Sequence, residues 1–413
     1  MGTGGVYSGS GGAKAGGTGG AVVLGTGGAP ISSTGGASAT GGTGGAGGTA
    51  STGGTSASSG GDTGVGGPGN GGKAAAAGSD GAGGSVATAG STGTDPGTAG
   101  DGDSMVGPNY PKSADLMSKG LPAGKTFTFT MSSATSKYFT GMDPTLTAKG
   151  TFNRTVTVYV PAKYKDGAPA PFMVIQDGPG QLGNVKLALD NLTQGTDPAR
   201  RLPAFVAIAV QNGGGDGKGS ERGLEYDTVS EKYALFVQNE VLPLVESNAA
   251  LKAAYPNFSL TTDPDGRGTV GCSSGSSAAF TMGWFHPELF RRIVTYSGTF
   301  VAQQNDSAPE QAMYPLGAWD YHSVLNLVGT TTPAKPLRVF INANQNDNGA
   351  GTGDANHHDW LLANQRMAAA FKAQNYHYRF VEGLGAGHCA GQVQDTTLPD
   401  TLLWVWQGYP LNY

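Results

Sequence analysis

The pentapeptide Gly271-Cys272-Ser273-Ser274-Gly275 has the pattern G-x-S-x-G and lies between two apolar segments. The residues before it, Gly268-Thr269-Val270, predict a short buried strand, and residues 276–285 predict a helix that becomes apolar along its length. A strand, a sharp turn and a helix in this order expose the central serine above a sheet. The two glycines let strand and helix approach closely. Because Gly and Ser are common in this chain, the prediction of a nucleophile elbow rests on this context and not on the pattern alone.

The chain divides into two parts of different composition. About 40 of its 72 glycines lie in residues 1–105, mixed with Ala, Ser and Thr and almost without charged or aromatic residues. Such a segment buries too little apolar surface to offset its chain entropy, so we expect residues 1–105 to be a disordered low-complexity tether. The tether predicts attachment of the chain to a surface, and a passive tail is the alternative. Residues 106–413 have the composition and length of one globular domain.

Predicted strands alternate with predicted helices in residues 106–413. Strands are predicted at 125–131, 152–160, 172–176, 205–210, 268–270, 292–296, 337–341 and 378–381. Helices are predicted at 233–245, 276–285, 364–373 and 402–406. The alternation predicts an α/β fold with a mainly parallel sheet covered by helices on both faces. In such folds the chemistry lies at the carboxyl ends of the strands.

Charge and hydropathy exclude several classes of partner. The net charge is −5, with acidic and basic residues interspersed, which does not indicate a nucleic-acid partner. We find no run of the roughly 18–20 apolar residues that a membrane span needs. The first residues lack the basic and apolar regions of a signal peptide, so we expect that an export signal is missing from this sequence.

A serine nucleophile needs a histidine base and an acid that orients the base, in the chain order Ser, acid, His. All six histidines follow Ser273, and His388 lies in a glycine-rich loop after the last predicted strand, where the base is expected. Asp347 is the first carboxylate after the strand 337–341 and is the predicted acid. Asp354 and Asp359 remain alternatives.

The segment from Asp354 to Asp359 also contains His357 and His358. Four such side chains resemble a set of metal ligands, but without a second ligand cluster a polar loop is the simpler interpretation. We therefore predict neither a metal nor a cofactor.

The two cysteines of the chain, Cys272 and Cys389, are the immediate neighbours of Ser273 and His388. If Ser273 and His388 lie within hydrogen-bond distance, the adjacent Cβ atoms can meet the geometry of a disulfide. We predict a Cys272–Cys389 disulfide that fixes the histidine loop to the elbow. Two unrelated buried thiols are the alternative. A disulfide indicates an oxidising location, either extracellular, at the cell surface or periplasmic.

Negative charge that develops on a substrate oxygen needs backbone N–H donors, which form an oxyanion hole. The N–H of Ser274 is the first candidate. The second is expected from the loop Asp177-Gly178-Pro179-Gly180. Pro179 has no N–H, so Gly178 or Gly180 must donate instead. A simple turn is the alternative interpretation of this loop.

Residues from about Arg154 to Tyr409 resemble the α/β-hydrolase esterases that include enterochelin, feruloyl and acetylxylan esterases. The matching segments are 158–164, 175–178, 189–192, 225–227, 240–243, the elbow with 284–290, 296–298, 387–388 and 398–400. The resemblance implies Ser273, Asp347 and His388 as the catalytic residues. In that family the residue after Asp-Gly usually donates the second oxyanion N–H. Pro179 stands there in this chain, which implies a shifted donor.

The Cys-Ser and His-Cys pairs are similar to those of glucuronoyl esterases and tannase-like feruloyl esterases, which implies esters of plant polysaccharides as substrates. Together these expectations describe a secreted serine carboxylesterase that removes feruloyl or acetyl groups. A siderophore-type, general or glucuronoyl esterase is the alternative within this class. A non-catalytic binding module on a hydrolase scaffold is the alternative of another class. Trp319 and Tyr321 are predicted to contact substrate from a cap loop, with core packing as the alternative.

Overall fold

The computed structural model describes residue 95, residues 97–304 and residues 312–413. Residues 1–94 of the predicted tether lie outside the described residues. By its internal contacts the chain divides into the units 1–81 and 82–413, and all described residues belong to the second unit. No helix in these described ranges is long and apolar enough to cross a bilayer.

One nine-stranded sheet forms the centre of the described unit. Its strands are β1 Gly102–Val106, β2 Lys125–Ser132, β3 Asn153–Val160, β4 Phe172–Ile175, β5 Val206–Val210, β6 Arg267–Cys272, β7 Arg292–Tyr296, β8 Arg338–Asn346 and β9 His377–Gly387. The order across the sheet is β1-β9-β8-β7-β6-β4-β5-β3-β2. Only β3 runs against its neighbours β2 and β5, and all other pairs are parallel. This order with one reversed strand is that of an α/β-hydrolase, and the predicted fold class is confirmed.

Helices cover both faces of the sheet. They are α1 Leu182–Gln194, α2 Glu221–Tyr226, α3 Lys232–Phe236, α4 Leu242–Glu246, α5 Ala249–Ala254, α6 Ser274–Phe285, α7 Leu327–Thr330, α8 Trp360–Ala373 and α9 Gly391–Val405. A π-helical segment, Val237–Val241, joins α3 to α4, so that 232–246 is continuous. The predicted closing helix at 402–406 is only the last turn of α9.

The core consists of two apolar layers, one on each face of the sheet. Consecutive residues of β4 point to opposite layers, since Met173 and Ile175 pack with α1 and α9 while Phe172 and Val174 pack with α3 to α5. Each of these four side chains has no exposed surface. A strand buried on both faces reads as a continuous apolar run, and this is why 172–175 lacks the alternation of a half-exposed strand.

The structure corrects the predicted boundary between residues 105 and 106. The strand β1 begins at Gly102 and lies at the edge of the sheet, parallel to β9 and paired from Gly102 with Arg379 to Val106 with Gly383. The hydroxyl of Tyr110 donates to the carbonyl oxygen of Leu384 at 2.7 Å and holds the chain that follows. An exposed edge strand has no apolar face to pack, so the sequence of β1 carries no alternation that would distinguish it from the glycine-rich residues before it.

Candidate active site

The elbow lies between β6 and α6. Ser273 has φ 57° and ψ −131°, a backbone conformation that non-glycine residues rarely adopt. Its N–H donates to the carbonyl oxygen of Tyr296 at 3.0 Å, and its carbonyl oxygen accepts from the N–H of Thr299 at 3.2 Å. A Cβ on Gly271 would lie 2.2 Å from the carbonyl carbon of Gly275, so glycine is required at position 271. These contacts hold Ser273 in its strained conformation at the carboxyl end of β6.

Ser273, His388 and Asp347 form one chain of hydrogen bonds. Asp347 directly follows β8, and His388 directly follows β9. The distance from His388 Nε2 to Ser273 Oγ is 2.9 Å, and that from His388 Nδ1 to Asp347 Oδ1 is 2.5 Å. An ionised carboxylate only accepts hydrogen bonds, so Nδ1 of a neutral His388 carries the proton and Nε2 accepts from the hydroxyl of Ser273. This is the arrangement in which a histidine can remove a proton from a serine.

The environment of Asp347 keeps its carboxyl group ionised. Its side chain is fully buried. Burial raises its pKa, but hydrogen bonds from His388 and Ser297 outweigh burial and hold the pKa below its usual value. The backbone N–H of Asn348 donates to Oδ1 at 2.9 Å, and that of Asn344 donates to Oδ2 at 3.2 Å.

Ser297 joins the acid to the histidine loop, and sequence analysis gave it no role. Its hydroxyl donates to Asp347 Oδ2 at 2.7 Å. The same oxygen accepts from the N–H of Cys389 at 3.0 Å and from Nδ2 of Asn344 at 3.2 Å. Ser297 directly follows β7 and has φ 45°, a left-handed backbone conformation. The segment 296–298 carried part of the family resemblance, and this was the only signal in the sequence.

The predicted disulfide between Cys272 and Cys389 is present, with a distance of 6.0 Å between the Cα atoms. It closes a loop of 117 residues in sequence separation and joins the residue before Ser273 to the residue after His388. Cys389 has φ 49°, so the chain turns sharply after His388. The bridge therefore fixes the serine and the histidine relative to each other on both sides.

The competing acids lie in other interactions. Asp354 forms an ion pair with Arg366, with distances of 2.5 and 2.8 Å between their atoms. Asp359 caps the first turn of α8 and accepts from the N–H of Leu362 at 2.9 Å. Of the three acids considered, only Asp347 contacts His388.

The two histidines between these acids make separate contacts. His358 Nδ1 lies 2.6 Å from the carbonyl oxygen of Asn356, and the ring of His357 packs on that of Trp319 at 5.3 Å between centroids. Within residues 97–304 and 312–413, no group of three or more His, Cys, Asp or Glu side chains has the geometry of a metal site.

The loop after β4 is held tightly beside the elbow. Asp177 (φ 62°) and Gly178 (φ 73°) both have left-handed backbone conformations. The carboxylate of Asp177 accepts from Arg222 Nε at 2.8 Å and from Asn212 Nδ2 at 2.7 Å. Its N–H donates to the hydroxyl of Tyr226 at 3.0 Å. A short 3₁₀ turn, Gly178–Gln181, follows. The position of the loop is thus fixed by an ion pair and two further hydrogen bonds.

Ser274 begins α6, so its N–H has no partner inside the helix. Ser274 directly follows Ser273 in the elbow, where the resemblance and the chemistry place an oxyanion donor. A cavity of about 160 Å³ beside the disulfide is lined by Gly180, Cys272 and Tyr296, among others. Ser274, Gly178 and Gly180 stay the predicted oxyanion donors.

The structure corrects the prediction that Trp319 and Tyr321 contact substrate. Both side chains have no exposed surface. Tyr321 packs edge-on against Phe280 at 4.9 Å between ring centroids, and its hydroxyl lies 2.9 Å from the hydroxyl of Thr281. Both residues lie in the 3₁₀ turn Gly317–Tyr321, where their rings pack in the core, which was the alternative interpretation.

A different aromatic residue lies at the site. The ring of Trp360, at the start of α8, meets the ring of His388 edge-on at 5.9 Å between centroids. Its Nε1 donates to Thr299 Oγ1 at 3.2 Å, and this oxygen lies 3.4 Å from Ser273 Oγ. Trp360 therefore packs beside both Ser273 and His388, and sequence analysis gave it no role.

Asp227 is buried behind the elbow helix. The hydroxyl of Ser274 faces its carboxyl group, but neither carboxyl oxygen makes a hydrogen bond of ordinary geometry within the described residues. Burial raises the pKa of Asp227 to about 7, although Ser274 and Arg222 both oppose this increase. The carboxyl group of Asp227 thus lies beside Ser274 of the elbow without a hydrogen bond of ordinary geometry among the described residues.

The fold and the sheet edge at which Ser273, Asp347 and His388 meet define an α/β-hydrolase. The family Esterase, described as "Putative esterase", matches residues 151–395, which is more than half of the chain. The chain belongs to this family.

Similar proteins include one curated relative and several solved structures. The uncharacterized protein YbbA of Bacillus subtilis (strain 168) is 25% identical over 157 residues, or 36% of this chain and 58% of YbbA. The enterochelin esterase of Shigella flexneri is 21% identical with a TM-score of 0.42, over 62% of this chain and 55% of that protein. A ferulic acid esterase is 17% identical with a TM-score of 0.47, over 70% of this chain and all of that protein. The chain thus spans less than two thirds of the length of YbbA and of the enterochelin esterase.

Proposed function

We propose that this protein is a serine carboxylesterase that works through an acyl-enzyme on Ser273. The observation that carries the proposal is the continuous hydrogen-bond chain from Ser273 Oγ through His388 to Asp347. In an esterase family, this chain supports the assignment of nucleophile, base and orienting acid to these three residues.

The reaction has two halves. Ser273 Oγ attacks the ester carbonyl while His388 Nε2 takes its proton, and Asp347 stabilises the imidazolium that forms. The N–H of Ser274 and one glycine N–H of the Asp177 loop stabilise the oxyanion. The C–O bond to the alcohol then breaks, and the alcohol leaves with the proton from His388. Water attacks the acyl-enzyme in the same way, releases the carboxylic acid and restores Ser273.

The substrate proposed is a feruloyl or acetyl ester on a plant cell-wall polysaccharide. The Cys272–Cys389 disulfide supports an oxidising, extracellular or periplasmic location, where such polymers are met. A siderophore-type, general or glucuronoyl esterase activity is the second candidate. It is favoured by the likeness in sequence pattern to the enterochelin esterases. The same catalytic side chains would serve for these esters as for feruloyl or acetyl esters.

The test replaces Ser273 by alanine. We expect kcat on an aryl acetate to fall by at least about 10⁴-fold, because the nucleophile is lost. Ser277→Ala is the matched control, since Ser277 lies one turn further along α6, is buried, and its hydroxyl makes no hydrogen bond within the described residues. Its activity is expected to stay within a factor of about two.

A fluorophosphonate probe separates an enzyme from a binding module on the same scaffold. The wild type is expected to be labelled on Ser273 and the Ser273→Ala variant to stay unlabelled. Failure of the wild type to react would refute the proposed mechanism. Rates across methyl ferulate, acetylated xylan, glucuronate methyl ester and aryl esters then identify the substrate class, and methyl ferulate or acetylated xylan is expected to have the highest kcat/KM.

A further inference from the structure

A second cavity lies at the amino ends of the central strands, whereas Ser273 lies at their carboxyl ends. Its volume is about 410 Å³, and four basic residues line it: Arg291, Arg292, Lys335 and Arg338. Arg292 begins β7 and Arg338 begins β8, whereas Ser273 and Asp347 lie at the carboxyl ends of the strands. The cavity is therefore separate from the candidate active site.

The two arginines at the centre of this cavity are unusually placed. Arg292 and Arg338 are directly opposite each other on adjacent parallel strands. Only 4% and 6% of their surfaces are exposed. The pKa of each is lowered to about 10, mainly by burial; for Arg292 the charge of Asp265 opposes the decrease and that of Arg338 adds to it. Two buried like charges in register destabilise a sheet unless a counter-charge compensates them.

The protein supplies little of that counter-charge. Arg338 lies 3.7 Å from Asp101, and Arg291 lies 3.1 Å from Asp265. Within the described residues no carboxylate lies within 4.0 Å of the guanidinium of Arg292. The cavity lining contains four permanent cations but only two carboxylates, Asp95 and Asp265.

Both arginines also cap the carboxyl end of α9, which is a structural role. Arg292 Nη1 donates to the carbonyl oxygen of Val405, the last residue of α9, and to that of Gln407 at 3.0 Å. Arg338 Nε donates to the carbonyl oxygen of Trp404 at 2.8 Å. Arg338 Nη2 bonds Gln407 Oε1 at 2.9 Å. Capping leaves Arg338 Nη1 buried without a hydrogen-bond partner among the described residues. A charged donor is rarely left in this state in a native protein.

We propose that this cavity binds the carboxylate or phosphate group of a small anionic molecule between Arg292 and Arg338. The planar donors of arginine match the oxygens of both groups, and Lys335 at the rim adds a third positive charge. The volume is that of a small-molecule site rather than of a single ion. An anion there would form the ion pair that Arg292 does not make with Asp265, which acts on it only at longer range, and would give Nη1 of Arg338 a partner.

Thermal unfolding of the whole chain tests the proposal. Inorganic phosphate and sodium glucuronate are compared with sodium chloride at equal ionic strength. A ligand at about 100 times its Kd is expected to raise Tm by about 5 °C above the chloride control. The phosphate and glucuronate arms distinguish a phosphate ligand from a sugar carboxylate. No shift beyond chloride in either arm would overturn the proposal.

Two variants locate the site. Lys335→Gln and Arg291→Gln are each expected to raise the apparent Kd by about three- to tenfold, because each removes one charge at the rim. Lys372→Gln is the control, since Lys372 pairs with Asp103 outside the cavity and is expected to keep the wild-type Kd. If the anion stabilises both rim variants as much as it stabilises the wild type, it binds elsewhere and the proposal is overturned. Ser273→Ala is expected to bind the anion normally, so the result is independent of the proposed esterase mechanism.

Discussion

Replacing both Cys272 and Cys389 by serine removes the bridge between the elbow and the histidine loop. The bridged residues are 117 positions apart. For a loop of this length, the loss of chain entropy in the unfolded state contributes about 5 kcal/mol in the chain-entropy model, and measured values for native disulfides run from about 2 to 5 kcal/mol. We expect the free energy of unfolding of the double variant to fall within that range.

The expected effect on catalysis is much smaller. The histidine loop keeps three hydrogen bonds without the disulfide: His388 to Asp347 at 2.5 Å, Asn344 Nδ2 to the carbonyl oxygen of Gly387 at 2.7 Å, and the N–H of Cys389 to Ser297 at 3.0 Å. The third is a backbone bond and survives the change to serine. Because these bonds position His388, the proposed base, we expect kcat of the folded double variant at 25 °C to fall by less than about tenfold.

The assay combines urea unfolding followed by tryptophan fluorescence with initial rates on an aryl acetate. A reductant is expected to lower the urea midpoint of the wild type towards that of the double variant and to leave the variant unchanged. An unfolding free energy within about 1 kcal/mol of the wild type would refute the entropic argument. A folded but inactive variant would refute the view that hydrogen bonds suffice to position His388.

Two further changes test single contacts. Ser297→Ala removes a hydrogen bond to the ionised Asp347 and should raise the pKa of that carboxyl group, so we expect kcat to fall about ten- to a hundredfold with KM unchanged; a change in KM alone would contradict this role. Asp227, whose pKa burial raises to about 7, ionises near pH 4 in the unfolded chain, so its contribution makes the folded state less stable as pH rises from about 4 to about 7. We expect Asp227→Asn to stabilise the protein relative to the wild type by up to about 4 kcal/mol more at pH 8 than at pH 4, measured by urea midpoints, and an equal effect at both pH values would contradict this. The pKa of Glu221 is also raised to about 7, but its effect is common to both proteins and cancels in the comparison.

The sheet could be predicted because its central strands are more continuously apolar than the segments around them. Strands such as 172–175 and 206–210 are buried on both faces, which leaves continuous apolar runs that few other structures require. The edge strand β1 and the helix α1 were not predicted. The former exposes most of its side chains, and the latter begins within the glycine-rich residues that follow β4.

The positions of Ser273, Asp347 and His388 could be predicted for a different reason. Each directly follows a recognisable strand, and in a parallel sheet the carboxyl ends of strands meet at one edge. Trp319 could not be placed, because a 3₁₀ turn decides whether an aromatic residue in a loop faces solvent or core, and the sequence of that turn has no periodicity to show it. Ser297 is a small polar residue after a strand, and nothing in its type distinguishes it from a loop residue.

The backbone conformation around the site could not be predicted from the residue pattern alone. Asp177, Ser273, Ser297 and Cys389 all have φ between 45° and 62°, in the left-handed region that disfavours side chains. Each such residue costs about 1–3 kcal/mol and persists only when its neighbours over-determine it. The contacts that do this are the ion pair of Asp177 with Arg222, the hydrogen bond from the N–H of Ser273 to Tyr296, the hydrogen bond from Ser297 to Asp347, and the disulfide of Cys389. The disulfide therefore does more than cross-link the chain. It restrains Cys389 directly and restrains Ser273 through its neighbour Cys272. That is why the adjacency of Cys272 to Ser273 and of Cys389 to His388 was the most informative pattern in the sequence.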